Sequence, residues 1–383
     1  MGGLLKNEKR CESADKYILQ NLLLKISDNV DCILFFIIFA NDCKCMKHKG
    51  ATIFDISKRL GISASTVSRA LNGSKLISEQ TRNKVIEEAK KIGFRPNPFA
   101  VALKTGKTKT IGMIVPLINR NYFVEAIAGV EETIYAADYD LIIASSGNFY
   151  SREKKIVESM AQGKVVGVIA AVAAETTNYD HYKILIDNGI PVVMFDRLMP
   201  LPGMSSVVQD DFQGAYNATN HLIQQGCRKI FHYRGLQNVS MWNAREKGNR
   251  QAMADAGIEI SKNWVHTALT TPEEGAKYAE RLILKGTLPD AILFSGDFAA
   301  KAAMEVFAAN GVNIPKDIAI VGFVNEPWDK YLTPPLSSVE QFPYNIGREA
   351  GRLMLNAING EPPQKIVYNT ELIIRESSLK YNR

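Results

Sequence analysis

Residues 52–73 read TIFDISKRLGISASTVSRALNG. Thr52 followed three residues later by Asp55 has the form of a helix start, with a hydroxyl cap and an acid in the first turn. Ile53, Ile56 and Leu60 recur at helical spacing, and Gly61 supplies a turn residue that accepts positive φ at no steric cost. Ser63 then caps a second helix running from Ala64 to about Leu71, with Val67 and Leu71 inward and Ala64, Ser65, Ser68 and Arg69 outward. A third helix starts after Ser78 and closes at Gly93, with Val85, Ile86, Ala89 and Ile92 as its core stripe. Two short helices around a glycine turn fit a helix-turn-helix, whose second helix enters the major groove of DNA. An ordinary three-helix bundle with a solvated basic face fits the same spacing.

Charge is unevenly distributed along the chain. The chain of 383 residues carries a net charge of +6. From Met46 to Lys109 there are 14 Lys/Arg against 4 Asp/Glu, whereas the first 45 residues balance at 6 against 6 and the remainder is mildly acidic. A basic module on an acidic body points to a polyanion partner for the module alone. Residues 1–45 hold four of the five cysteines and the apolar run Ile33–Ala40. That run is far shorter than the ~20 residues needed to cross a bilayer. Flanking Asp28, Asp31 and Asp42 and the Cys43-Lys44-Cys45 sequence do not suit a secretion signal, so this segment is read as an extension outside the fold. Cys227 is the one cysteine of the body, which fits a reducing compartment, and no cysteine or histidine set has zinc spacing.

The stretch above, with ISEQTR and GFRPNPFAVAL after it, closely resembles the N-terminal signature of the lac-repressor-type transcription regulators. The resemblance implies an all-α helix-turn-helix DNA-binding domain over 46–94 and a hinge over 95–109. It implies base reading by Ala64, Ser65 and Arg69, with Arg69 suited to donate two hydrogen bonds to a guanine. Thr66, Ser68, Asn72 and Thr81 are better placed for phosphates, and Thr52, Asn97 and Ala100 join the DNA-facing set. In such regulators the hinge folds on DNA, pairs with its dimer mate and wedges a leucine into the minor groove, a position matched by Leu103. Val101 and Ala102 replace the Arg-Ser pair that commonly precedes that leucine.

After Thr110 the pattern changes to apolar strands alternating with helices. Strands are expected at 110–116, 139–145, 165–171, 191–197, 229–235, 291–297 and 319–323, the pattern of parallel sheets with crossover helices. A break near Val207–Asp211 divides the body into two lobes, one of about 110–208 plus 342–361 and one of about 209–341 plus 362–383. In doubly wound sheets ligands bind at the carboxyl ends of strands. Those ends hold Asp196-Arg197, Asp297 and Gln341, with Arg245 at the start of a helix and Tyr122-Phe123 after the first strand. A carboxylate, a guanidinium and an amide pair with vicinal hydroxyls, and an aromatic covers the apolar face of a sugar ring. The more mundane roles are a helix cap for Asp297, an acid partner for Arg245 and a core place for Tyr122.

The same resemblance extends to the body, which is similar to the two-lobed periplasmic-binding-protein-like (type I) sugar sensor of these regulators. It implies that Tyr122, Phe123, Asp196, Arg197, Arg245, Asp297 and Gln341 hold the effector, with Arg120 standing where sugar binders often place Asn. No phosphate loop, nucleophile elbow or zinc-protease motif is present, so neither an enzyme nor a cofactor is expected. The expected function is a cytoplasmic, nucleoid-associated regulator. It works as a homodimer on near-palindromic double-stranded operator DNA, and a small sugar or sugar derivative sets its affinity. Val124–Ala137 is the expected dimer contact. The competing reading is a transport-type sugar-binding protein, which predicts a secretion signal and does not predict the basic module.

Overall fold

The computed structural model describes residues 51–74, 76–94, 109–162, 165–198, 203–236 and 240–380. The extension 1–45 and most of the hinge, including Asn97, Ala100 and Leu103, lie outside them. The chain forms two compact units that divide between Asn97 and Pro98.

The first unit has three helices: α1 (Ile53–Leu60), α2 (Ala64–Leu71) and α3 (Glu79–Lys91). Each start is fixed by a side chain. Thr52 Oγ1 accepts from the Asp55 N–H while Asp55 Oδ2 accepts from the Thr52 N–H at 2.8 Å, a reciprocal capping box. Ser63 and Ser78 accept from the N–H groups of Thr66 and Thr81 at 3.1 and 3.3 Å. Gly61 closes α1 in the left-handed region at φ 65°. Ile56, Val67, Ala70, Val85 and Ala89 form the buried centre, with Leu71 and Ile92 packed against it. Ile86 does not belong to that stripe and is exposed. Residues 85, 89 and 92 share one face, and the next residue after 85 points about 100° away around the helix.

The second unit holds two six-stranded sheets. The first has the order β11-β5-β4-β3-β1-β2, made of β1 (Thr110–Val115), β2 (Asp140–Ser145), β3 (Gly167–Ala170), β4 (Val192–Phe195), β5 (Ser205–Gln209) and β11 (Lys365–Tyr368). The second has the order β12-β10-β9-β8-β6-β7, made of β6 (Ile230–Arg234), β7 (Val265–Thr267), β8 (Ala291–Phe294), β9 (Ala319–Val324), β10 (Ser337–Glu340) and β12 (Glu371–Ile373). All pairings are parallel except that of β10 with β12. The longer helices are α4 (Asn121–Tyr135), α5 (Tyr150–Ala161), α7 (Asp211–Gln224), α8 (Ser240–Asp255), α9 (Pro272–Leu284), α10 (Asp297–Ala309) and α11 (Pro343–Ile358), with a short α6 (Lys183–Asp187). Apolar clusters line the sheets, one set in each lobe.

The expected strands are present, and two parts of the body differ from expectation. The break expected near Val207–Asp211 contains the crossover after Gln209, but residues 205–209, where no strand is expected, form β5 inside the first sheet; Ser205, Ser206 and Gln209 are buried there as polar residues, which hides the apolar signal of a strand. The tail 362–383, read as wholly part of the second lobe, is divided: Lys365–Tyr368 pairs with β5 and Glu371–Ile373 with β10. The chain therefore crosses between lobes three times, after Gln209, after Glu340 and after Tyr368. In the first lobe α4 and α11 touch closely enough that a Cβ on Gly129 would stand 2.1 Å from the Tyr344 carbonyl, so only glycine fits.

Candidate ligand cleft and nucleic-acid interface

Strand ends of both sheets open on one cavity of about 210 Å³ between the lobes. Tyr122, Phe123, Asp196, Arg197, Arg245, Asp297 and Gln341 all line it. From the first lobe, β4 is followed at once by Asp196, whose φ of 56° turns the chain sharply, and the first turn of α4 presents Tyr122 and Phe123. From the second, β8 leads through Gly296 to Asp297, β10 leads to Gln341, and α8 carries Arg245. Arg120, Trp242, Phe298 and Glu326 also line it.

A buried relay fixes the first-lobe groups. Tyr122 Oη donates to Gln209 Oε1 at 3.1 Å. Gln209 Nε2 in turn donates to Asp196 Oδ1 at 3.1 Å and to Asp211 Oδ2 at 3.3 Å. Asp211 receives Arg245 Nε at 2.7 Å, and Arg245 Nη1 donates to the Ser295 carbonyl at 2.9 Å. The Arg245 guanidinium is fully buried, 3.6 Å from the Phe323 ring centre. Arg245 thus has the acid partner considered from sequence and also lines the cavity. Gln209 and Asp211, which tie the two lobes at a crossover, were not singled out from sequence; the only signal was a Gln-Asp-Asp run at a presumed break.

Electrostatics follow burial. Desolvation raises the Asp196 carboxyl, against the pull of Arg197, and pushes Asp211 up to about 6 against the pull of Arg245. In the second lobe Asp297 Oδ1 and Oδ2 accept from Ser338 Oγ at 2.8 and 3.0 Å, and Oδ2 also accepts from the Glu326 N–H at 3.2 Å. A Cβ on Gly322 would come 1.9 Å from Asp297 Oδ1, so this carboxylate rests on bare backbone. Burial and the Asp297 charge push the neighbouring Glu326 up to about 7 and Asp329 up to about 10. Asp297 is not a helix cap: Gly296 occupies that position and no side chain caps α10. Among the described residues that line the cavity, three buried donors have no hydrogen-bond partner within the protein: Arg197 Nε, Arg245 Nη2 and Gln341 Nε2. Their residues all line the cavity, so it is prepared for a ligand rich in acceptors.

On the first unit, Ser65 and Arg69 are exposed along α2 and Asn72 is exposed at its C-cap, with Ala64, Thr66 and Ser68 half-buried. Ser63 Oγ lies 2.8 Å from both Ser65 Oγ and Thr66 Oγ1, so the α2 N-terminus is a hydroxyl cluster. Thr81 Oγ1 lies 2.9 Å from Ser78 Oγ at the start of α3, and exposed Thr52 is held in its capping box. Backbone N–H groups and hydroxyls at helix starts are suited to phosphate oxygens. Among the described residues no helix is long and apolar enough to cross a membrane, and no group of three or more His, Cys, Asp or Glu is arranged to hold a metal ion.

A helix-turn-helix unit and a two-lobed ligand cleft in one chain define a DNA-binding transcription regulator with a small-molecule sensor. The chain belongs to the LacI family of bacterial regulatory proteins, whose profile matches residues 52–97, and a periplasmic binding protein-like domain matches residues 219–378. It is 31% identical over 330 residues to the HTH-type transcriptional repressor PurR of Photobacterium profundum, covering 85% of this chain and 98% of that protein. Among solved structures it is similar to the transcriptional regulator CelR–cellobiose complex, at 27% identity and a TM-score of 0.65 over 85% of this chain and 99% of that one. It is also similar to a periplasmic binding protein/LacI transcriptional regulator from Alkaliphilus metalliredigens complexed with D-xylulofuranose, at 26% identity and a TM-score of 0.62 over 70% of this chain and 99% of that one. The resemblance carried by residues 52–103 and by the body is borne out at the level of family, fold and regulator class.

Proposed function

We propose that the protein is a cytoplasmic transcription regulator that binds its operator as a homodimer and changes operator affinity when a sugar-type ligand occupies the cleft. The observation that carries this reading is the convergence of all seven predicted residues, four from the first lobe and three from the second, on one cavity. A ligand bonded to both sets favours closed lobes, because only the closed form makes all of its hydrogen bonds together. The CelR and Alkaliphilus regulators were solved with cellobiose and D-xylulofuranose, which supports a sugar-type ligand here. The relatives are transcriptional repressors, which supports a regulatory rather than a catalytic use of the cleft.

In this reading Ala64, Ser65 and Arg69 meet base edges, and Thr52, Thr66, Ser68, Asn72 and Thr81 meet phosphates. Asn97, Ala100 and Leu103 act in the minor groove as part of the hinge, a role that rests on sequence. The second copy covers the outer strand of the first sheet, where Ile142 and Ile143 on β2 are exposed, together with exposed Val124 and Tyr135 on α4. The face of α4 around Gly129 is already taken by α11, so only part of the expected Val124–Ala137 contact is available. Selection from randomised duplexes tests the DNA half. The expected result is a near-palindromic site bound by two copies, with affinity falling steeply as salt rises. Recovery of no sequence preference, or of a monomer on a half-site, overturns the proposal.

A further inference from the structure

Three arginines line one cavity: Arg120, Arg197 and Arg245. Two of them are matched inside the protein, Arg245 by Asp211 at 2.7 Å and Arg197 by Asp196 at 3.7 Å. Among the described residues Arg120 has no carboxylate within ion-pair distance. Its guanidinium instead sits over the ring of Phe298, 4.0 Å from the centroid, reaching from the N-cap of α4 in the first lobe to the first turn of α10 in the second. Stacking uses the face of a guanidinium and leaves its in-plane N–H donors for an acceptor.

The acids around Arg120 do not cancel it. Glu273 is exposed, where its influence is screened by water. Glu326 shares the cavity wall, and burial together with Asp297 holds it up at about 7, so it is only partly ionised at neutral pH. The same wall carries Arg245 Nη2 and Gln341 Nε2, buried donors with no hydrogen bond, and Arg197 Nε, which has the Asp196 ion pair at 3.7 Å and no hydrogen bond. A group that only accepts, and that is charged, satisfies such donors best; hydrogen bonds to an ionised acceptor are roughly twice as strong as neutral ones.

We propose that the cleft takes an anionic polyol, a sugar bearing a carboxylate or a phosphate, and that Arg120 receives the charged group. The proposal deepens the reading of the cleft as a sugar sensor and rests on it. Arg120 then also couples ligand to closure, since the group that holds the anion is stacked across the lobes.

The test is calorimetric titration of the full-length protein with matched sets: glucose, gluconate and glucose 6-phosphate, then ribose, ribonate and ribose 5-phosphate. The expected result is that a charged member binds at least tenfold tighter than its neutral parent, with a preference that shrinks as salt is added. Whether the acid or the phosphate wins identifies the source of the charge. Arg120→Gln brings the charged-to-neutral affinity ratio toward one, and Arg120→Lys keeps most of it. Neutral parents binding as tightly as their charged partners overturn the proposal. So does an Arg120→Gln variant that weakens neutral and charged members equally, which makes Arg120 a latch between lobes, or one that leaves the ratio unchanged. If no member of either set binds, neutral or charged, the sugar-sensor reading itself falls and the anionic ligand falls with it.

Discussion

The DNA-reading unit and the cleft use the same residue types in opposite ways. On α2, Arg69 and Ser65 stand in water over a centre of five buried side chains. In the cleft, Arg245, Asp297 and Gln341 are buried, Arg245 bonded to Asp211 and the Ser295 carbonyl and Asp297 to Ser338 and the Glu326 N–H. An exposed guanidinium can be removed with little effect on stability, while a buried and paired one cannot. The proposed reading residues Ser65 and Arg69 thus add little to the core of their unit, whereas the proposed cleft residues also hold its walls.

Arg245→Ala gives the largest expected contrast. It leaves Asp211 buried without its partner, so sensor stability falls by roughly 3–5 kcal/mol and the ligand response is lost. Denaturant unfolding of the sensor checks this, and a loss below about 1 kcal/mol would mean that Asp211 finds water or another donor. The next effect is a dependence on pH. Asp211 and Glu326 lie at about 6 and about 7 in the folded protein, above their ordinary values of 3.8 and 4.5. The folded form therefore holds these protons more tightly than the unfolded form, and stability falls as pH rises from about 4 through 7. Glu326→Gln has no proton to lose, so its stability curve is flatter than that of the parent between pH 5 and 8, by on the order of 1–3 kcal/mol. Parallel curves for the two proteins would remove Glu326 from the account.

Arg69→Ala is the matching substitution on the other side of the comparison. Unfolding should move by less than about 0.5 kcal/mol, while discrimination at one base pair drops by roughly 1–3 kcal/mol. A uniform loss over all sequences would make Arg69 a phosphate contact. The smallest effect belongs to Ser63→Ala, which removes the cap of α2 at a cost of about 1 kcal/mol and loosens the hydroxyl cluster at its start. An unchanged midpoint would show that neither the cap bond nor the hydroxyl cluster around Ser63 orders that turn.

The two regions also differ in how much of them the sequence displayed. The helix starts were legible because each cap lies three residues from its partner: Thr52 with Asp55, Ser63 with Thr66, Ser78 with Thr81. Ile86 was misread because an apolar residue beside a stripe cannot be told from one within it by composition. In the sensor, the apolar strands and the polar residues at their ends were legible from alternation and from where parallel sheets bind ligands. The strand at 205–209 was hidden by its buried serines and glutamine, and with it the relay through Gln209 and Asp211. The setting of Asp297 was beyond reach as well, since its partners Glu326 and Ser338 lie 29 and 41 residues away and meet it only after the second sheet has formed.

The central claim is that one cleft controls the affinity of one DNA-reading surface. The most direct test measures operator affinity of the full-length protein with and without a cleft ligand, and ligand affinity with and without operator. Binding linkage requires the two factors to be equal whatever their sign. The account predicts equal factors well away from one, both reduced to one by Arg245→Ala in protein that remains folded. A cleft ligand that leaves operator affinity unchanged, while it binds normally, would contradict it.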